Sequence, residues 1–230
     1  MVAKVQAVRR AVDAVYTEYM SGSSGLLRQL HGWLFRSPAV ARWLFTTNVR
    51  NESRLYVMDL TSILLRDFIR PHLQRHANLR VLELGCGYFA IPSGYLSRFS
   101  TGTFDVVDVN PDAVASTRTV VEENGFDLRV GQSDLMSSVP GSTYDLIYWN
   151  LPYYRDVELF GRLFDAAPGH LAPGGALVLG YNAVALPRQR LVDLLADRPA
   201  LGVTGVKTWH WNRHEIMVIR RREASPDHAS

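Results

Sequence analysis

The sequence is poor in cysteine and in lysine: Cys86 is the only cysteine, and Lys4 and Lys207 are the only lysines. One cysteine excludes an internal disulfide and any multi-cysteine zinc site. No run approaches the roughly 18 apolar residues needed to span a bilayer. The opening residues are amphipathic, and no hydrophobic block leads into a small-residue cleavage site. The expected location is therefore the cytoplasm, with no membrane partner. No internal repeat and no low-complexity block is present. What remains is an ordinary globular composition, 230 residues of which 47% are hydrophobic and 20% charged. That is enough for one domain with its own core and a small appendage.

The charge is uneven. Residues 1–80 hold twelve Lys and Arg against five Asp and Glu, and residues 81–230 hold thirteen against seventeen. A basic front half suits an anionic partner such as RNA. Arginine in place of lysine, beside abundant alanine, equally fits the mutational bias of a GC-rich genome.

Apolar spacing predicts helices over 2–20, 26–36, 38–47 and 52–70, the last ending before Pro71, with a flexible break at 21–25. Residues 1–78 thus read as all helical. At residue 79 the rhythm changes. Short apolar runs predict strands at 79–84, 104–109, 127–131, 144–150 and 176–181, with helices near 110–124, 156–167 and 187–197 between them and a turn at 172–175. Strands alternating with helices argue for a parallel sheet covered on both faces. The last two strands, 203–209 and 214–220, are separated by a turn too short for a parallel crossover, so they pair antiparallel. The polar residues 223–230 read as a disordered tail.

The chemistry concentrates at strand ends. Glu83-Leu84-Gly85-Cys86-Gly87 is a buried strand ending in an acid and a glycine turn, where the backbone can approach a ligand closely. The third glycine of a dinucleotide fingerprint is missing, which argues against a nicotinamide dehydrogenase. Asp108 follows Gly87 by 21 residues, the distance at which an acid can meet ribose hydroxyls. Asp134 follows the third strand, as a turn-former or a contact to a base edge. The fourth strand ends in Asn150-Leu151-Pro152-Tyr153. There Pro152 stiffens the chain, and Asn150 offers an amide beside the aromatic face of Tyr153. Cys86 reads as a small packing residue, and His210 and His214 as ordinary hairpin residues.

Together these residues resemble class I S-adenosylmethionine-dependent methyltransferases over about residues 75–220. The resemblance implies an α/β, Rossmann-like, doubly wound seven-stranded sheet whose last strand is antiparallel. It divides the chain into a helical lid or recognition segment at 1–78, a methyltransferase domain at 79–222 and the tail. Asn-Leu-Pro-Tyr at 150–153 is similar to the Asn-Pro-Pro-Tyr signature of enzymes that methylate planar nitrogens, with Leu151 where proline is usual.

Position by position, the resemblance implies that Gly85, Cys86 and Gly87 approach the methionine part of the cofactor, with Glu83 near its amino group. Asp108 and Val109 fall at the ribose, and Asp134 and Leu135 at the adenine. Asn150, the Leu151 carbonyl, Pro152 and Tyr153 would hold the nitrogen to be methylated. No metal is needed, because the sulfonium supplies the electrophile. Three readings stay open: methylation of a protein amide or RNA base, methylation of a small molecule with the front helices as a lid, and a non-enzymatic cofactor-binding partner. The oligomeric state is not readable.

Overall fold

The computed structural model describes residues 25–52, 55–139, 143–151, 157–209 and 213–222. The expected helix over 2–20, the break after it, Pro152 and Tyr153, His210 and the tail lie outside these residues.

Seven strands form one sheet in the order β3-β2-β1-β4-β5-β7-β6. They are β1 (Arg80–Leu84), β2 (Thr103–Asp108), β3 (Arg129–Gln132), β4 (Tyr144–Asn150), β5 (Leu171–Asn182), β6 (Leu201–Trp209) and β7 (His214–Arg221). The first five pair parallel, and β7 pairs antiparallel with both β5 and β6. The doubly wound sheet with an antiparallel end is thus as the alternation of elements predicted.

Side-chain parity along the strands decides what each face meets. Val81, Leu146, Tyr148, Val178 and Ile216 pack with Phe45, Leu64, Leu65 and Ile69, which belong to the N-terminal helices α2 (Pro38–Phe45) and α3 (Leu60–Arg75). Leu82, Leu84, Ile147, Leu177 and Met217 face the other way, onto Phe160, Leu163 and Phe164 of α6 (Val157–His170) and Leu191 and Leu195 of α7 (Arg188–Ala196). The remaining helices are α1 (Gly25–Arg36), α4 (Ile91–Leu96) and α5 (Pro111–Asn124), and a 3-10 turn at Ser97–Phe99 follows α4.

Several boundaries differ from the sequence expectation. The described part of 46–59 is not helical, and α3 runs from Leu60 to Arg75, past Pro71. Pro71 is exposed, so the carbonyl it leaves unpaired one turn back lies on the solvent side, where water can serve it. The start of α3 is set by a capping box: Asp59 accepts from the Ser62 amide, while the Ser62 hydroxyl accepts from the Asp59 amide. The expected turn at 172–175 is absorbed into β5, whose pairing with β4 shifts register between Tyr144 and Leu146. A Cβ on Gly175 would sit 2.7 Å from the Tyr144 carbonyl oxygen, so glycine is what lets the two backbones close there. β3 begins at Arg129 instead of residue 127, and α6 runs three residues beyond 167 to His170.

Candidate active site

The carboxyl ends of β1 and β4 open into a cleft of about 510 Å³. Its walls combine the glycine turn 85–87 with Glu83, Asn150, His214 and the stretch 56–62 that leads into α3.

The glycine turn is built as the sequence implied. Gly85 and Gly87 have φ of +61° and +62°, a left-handed conformation that costs any other L-residue roughly 1–2 kcal/mol. The two differ in what surrounds them. A Cβ on Gly85 would lie 2.6 Å from Nε1 of Trp149, whereas one on Gly87 would enter open space. Asp108 holds the turn from the neighbouring strand: its Oδ2 accepts from the Gly87 amide at 2.9 Å and its Oδ1 from the Asn110 amide at 2.9 Å. The acid expected at the ribose therefore also shapes the loop beside it. Thr117 adds a hydrogen bond to the Gly87 carbonyl at 2.8 Å. Cys86 is buried, and burial pushes its thiol far above the ordinary range, as suits a packing residue.

Glu83 is buried on the α3 side of the sheet, and among the described residues its Oε2 has no partner. Burial pushes its carboxyl up to about 8, against the lowering effect of Ser93 and Tyr148. Tyr148 and Ser93 also bond each other at 2.5 Å. A carboxyl held this way waits for a cation or a donor.

Asn150 sits on the same face by parity with Leu146 and Tyr148. Its Nδ2 donates to Oδ1 of Asp59 at 3.0 Å and to Oγ of Ser62 at 3.2 Å. Its Oδ1 is buried and, among the described residues, has no partner. Helix α3 can come this close because β5 carries Gly180 opposite Asn150: a Cβ there would lie 2.6 Å from Cγ2 of Thr61 and 2.9 Å from Leu65. Asp59 and Ser62 were missed by sequence reasoning. They fall within a stretch read as continuous helix, although an Asp three residues before a Ser is a capping signal.

Val109, Asp134 and Leu135 are not among the residues that line the cleft. Val109 is 62% exposed. Asp134 pairs with Arg162, both half exposed, and Leu135 adopts φ of +51°. His214 is buried in the cleft wall with Nε2 3.5 Å from the Asn182 amide, so it is more than a hairpin residue. Among the described residues no three His, Cys, Asp or Glu side chains converge as a metal site. No helix among them is long and apolar enough to cross a membrane.

An open glycine turn, a buried acid with an unpartnered oxygen among the described residues and a second acid at the end of the next strand fit a nucleoside carrying an amino acid. With this sheet order they define a class I S-adenosylmethionine-dependent methyltransferase. The chain belongs to the methyltransferase small domain family, whose model matches residues 57–198.

Curated relatives carry the name ribosomal RNA small subunit methyltransferase C. That of Chromohalobacter salexigens is 37% identical over 124 residues, 51% of this chain and 35% of the relative. That of Hamiltonella defensa is 33% identical over 118 residues, 50% of this chain and 34% of the relative. The chain thus spans about a third of the length of these relatives. Among solved structures, a methyltransferase from Pyrococcus furiosus superposes with TM-score 0.67 at 21% identity, covering 84% of this chain and 96% of that one. The 16S rRNA N2 G1207 methyltransferase of T. thermophilus, in complex with AdoMet and guanosine, superposes with TM-score 0.57 at 22% identity, covering 72% and 44%. At these identities the structural likeness speaks to fold alone.

Proposed function

We propose that this protein is an S-adenosylmethionine-dependent N-methyltransferase acting on an exocyclic amine of a base in ribosomal RNA, with guanine N2 the first candidate. The observation that carries the reading is the buried, unpartnered Oδ1 of Asn150, in the wall of the same cleft as the glycine turn. The names of the curated relatives and the arginine-rich front half of the chain support RNA as the acceptor. Work on ribosomal RNA would place the protein in the cytoplasm.

When bound, the cofactor supplies an electrophilic methyl group on its sulfonium. In this reading the glycine turn 85–87 makes room for the cofactor's methionine part, and the vacant oxygen of Glu83 accepts from its ammonium. Asp108 and Val109 border the ribose, and Asp134 and Leu135 the adenine. Asn150 Oδ1 would accept a hydrogen bond from the amine to be methylated, and the Leu151 carbonyl would take a second. An aryl amine is a weak nucleophile because its lone pair is delocalised into the ring. Acceptors on its hydrogens return electron density to nitrogen and hold the lone pair in line with the methyl group. Preorganised groups of this kind account for factors of about 10²–10³ in rate. Pro152 would fix the loop, and Tyr153 would stack on the base.

The test is transfer of radiolabelled methyl groups into an extract lacking the protein's own copy, fractionated into RNA, protein and small molecules. The expected result is label in RNA that Asn150→Ala abolishes without weakening cofactor binding. Label confined to small molecules, or full activity in Asn150→Ala, would overturn the reading.

A further inference from the structure

Three features stand outside this account: the exposed Trp33 and Trp43 on α1 and α2, a groove near His72 and Arg220 at the far end of the sheet, and the contact between α3 and Asn150. The third carries an inference furthest.

The Asn150 amide nitrogen faces two acceptors that lie side by side: Asp59 Oδ1 at 3.0 Å and Ser62 Oγ at 3.2 Å. Asp59 Oδ1 also accepts from the Ser62 amide at 2.7 Å and the Ser62 hydroxyl at 2.9 Å. An oxygen that already takes two donors from Ser62 acts as an acceptor, so the atom of Asn150 that faces it is nitrogen. With Nδ2 turned to the cap, Oδ1 points the other way, where it is buried and has no partner among the described residues. An asparagine at a strand end otherwise has two amide orientations, and one of them would aim donors at an amine that also carries donors.

We propose that Asp59, with Ser62, is a positioning residue for methyl transfer: the cap of α3 holds the Asn150 amide nitrogen so that its carbonyl oxygen faces the acceptor nitrogen. The assignment rests on the functional reading above and adds to it a residue from outside the Asn-Leu-Pro-Tyr loop. It also gives Gly180 a purpose, since any side chain there would push Thr61 and Leu65 away and withdraw the cap from Asn150. The N-terminal helices are then coupled to the reacting atom through a helix cap as well as through a surface.

Two variants separate capping from positioning. Asp59→Asn caps a helix about as well as Asp and keeps an oxygen in place of Oδ1. Asp59→Ser also caps well, but its hydroxyl is one bond too short to reach Asn150. Transfer to small-subunit ribosomal RNA is measured at saturating cofactor. Asp59→Asn should stay within about fivefold of the parent. Asp59→Ser should fall about 10²-fold in kcat, the cost of losing one oriented group, with cofactor Kd within about threefold of the parent. Asp59→Ser transferring as well as Asp59→Asn would overturn the proposal.

A second readout needs neither a folded variant at position 59 nor a substrate. In 15N-labelled wild-type protein, the Asn150 side-chain amide is identified as the pair of resonances missing from Asn150→Ala. Locked N–H groups should exchange slowly with water, and exchange at the rate of a free side-chain amide would overturn the proposal. If wild type fails to label RNA while these protons are protected, the RNA reading falls and the positioning by Asp59 stands.

Discussion

Two polar networks meet at the carboxyl end of the sheet, on opposite faces. On the α7 side Glu215 accepts from Tyr181 at 2.8 Å, from Arg188 at 2.9 and 2.5 Å and from Thr208 at 3.2 Å. Both of its oxygens are used. On the α3 side Asp59, Ser62 and Asn150 are also hydrogen-bonded to one another, yet among the described residues Oδ1 of Asn150 has no partner, and neither has Oε2 of Glu83. A buried acceptor left empty costs about 1–3 kcal/mol. The closed network repays its burial in stability. The open one gives that energy up until a ligand fills it, which marks it as the working side of the sheet.

Crossed substitutions break this comparison most sharply. Asn150→Ala should lower methyl transfer by at least about 10²-fold and change the thermal midpoint little, because the Nδ2 hydrogen bonds it loses are offset by removal of an acceptor left unsatisfied in the free protein. Glu215→Gln should do the reverse, costing about 1–2 kcal/mol of stability, toward the low end because Arg188 is half exposed, with transfer intact in the folded protein. Parallel calorimetry and transfer assays on the two variants check both. Loss of activity in both, or of stability in both, would mean that the networks are not functionally distinct.

The glycine turn allows a smaller version of the same contrast. Gly85→Ala combines strain at φ +61° with a clash at 2.6 Å against Trp149. It should destabilise the fold by several kcal/mol, the sum of strain and overpacking. Gly87→Ala meets no atom and should cost only about 1–2 kcal/mol from its positive φ. Denaturant titrations of the pair give the order directly.

The two buried glutamates should also titrate in opposite senses. Burial alone would raise Glu215, but the hydrogen bonds from Arg188 and Tyr181 prevail and hold its carboxyl below the ordinary range. Its stabilisation is therefore full above the unfolded value near 4.5 and is lost as pH falls through the folded value. Glu215→Gln should flatten the acid limb of a plot of thermal midpoint against pH. Glu83 is displaced upward to about 8, so it folds protonated, and the free protein loses stability as pH rises from about 4.5 to about 8. In the proposed reading a cofactor ammonium beside it would favour the ionised form. Cofactor affinity should then rise with pH up to about 8 and level off, by up to about tenfold per pH unit. In Glu83→Gln this slope should vanish in a binding titration.

The smallest effect concerns the basic front. Replacing Arg36, Arg42 and Arg50 together by Gln should weaken RNA binding and lower its salt slope by up to about three, with cofactor affinity unchanged. An unaltered salt slope would make these arginines a feature of composition alone.

Local signals were enough for one side of the site. The glycine turn, Asp108 and Asn150 each sit at a strand end, where a short apolar run and a break in it mark the position. Asp59 is different, because it matters through a residue 91 positions away. Nothing in the spacing of one helix states which strand end it caps. The end of α3 was misread because Pro71 breaks a helix by local rules, whereas tertiary packing of Ile69 and Leu73 carries it through. The register shift in β5 depended on backbone approach at Gly175, which composition reads only as a turn. The stretch 46–59 looked helical because its apolar residues, Val49, Val57 and Met58 among them, are buried, and burial in an irregular segment leaves the same composition as a helix face.

The central claim is that the open acceptor on Asn150 directs a methyl group onto a base amine of RNA. It is tested most directly by digesting small-subunit ribosomal RNA to nucleosides after incubation with the protein and isotopically labelled cofactor, then locating the label by mass spectrometry. The account predicts one base-methylated nucleoside with the methyl on an exocyclic nitrogen, present with wild type and absent with Asn150→Ala. A label on ribose or on a ring carbon, or RNA left without label, would contradict it.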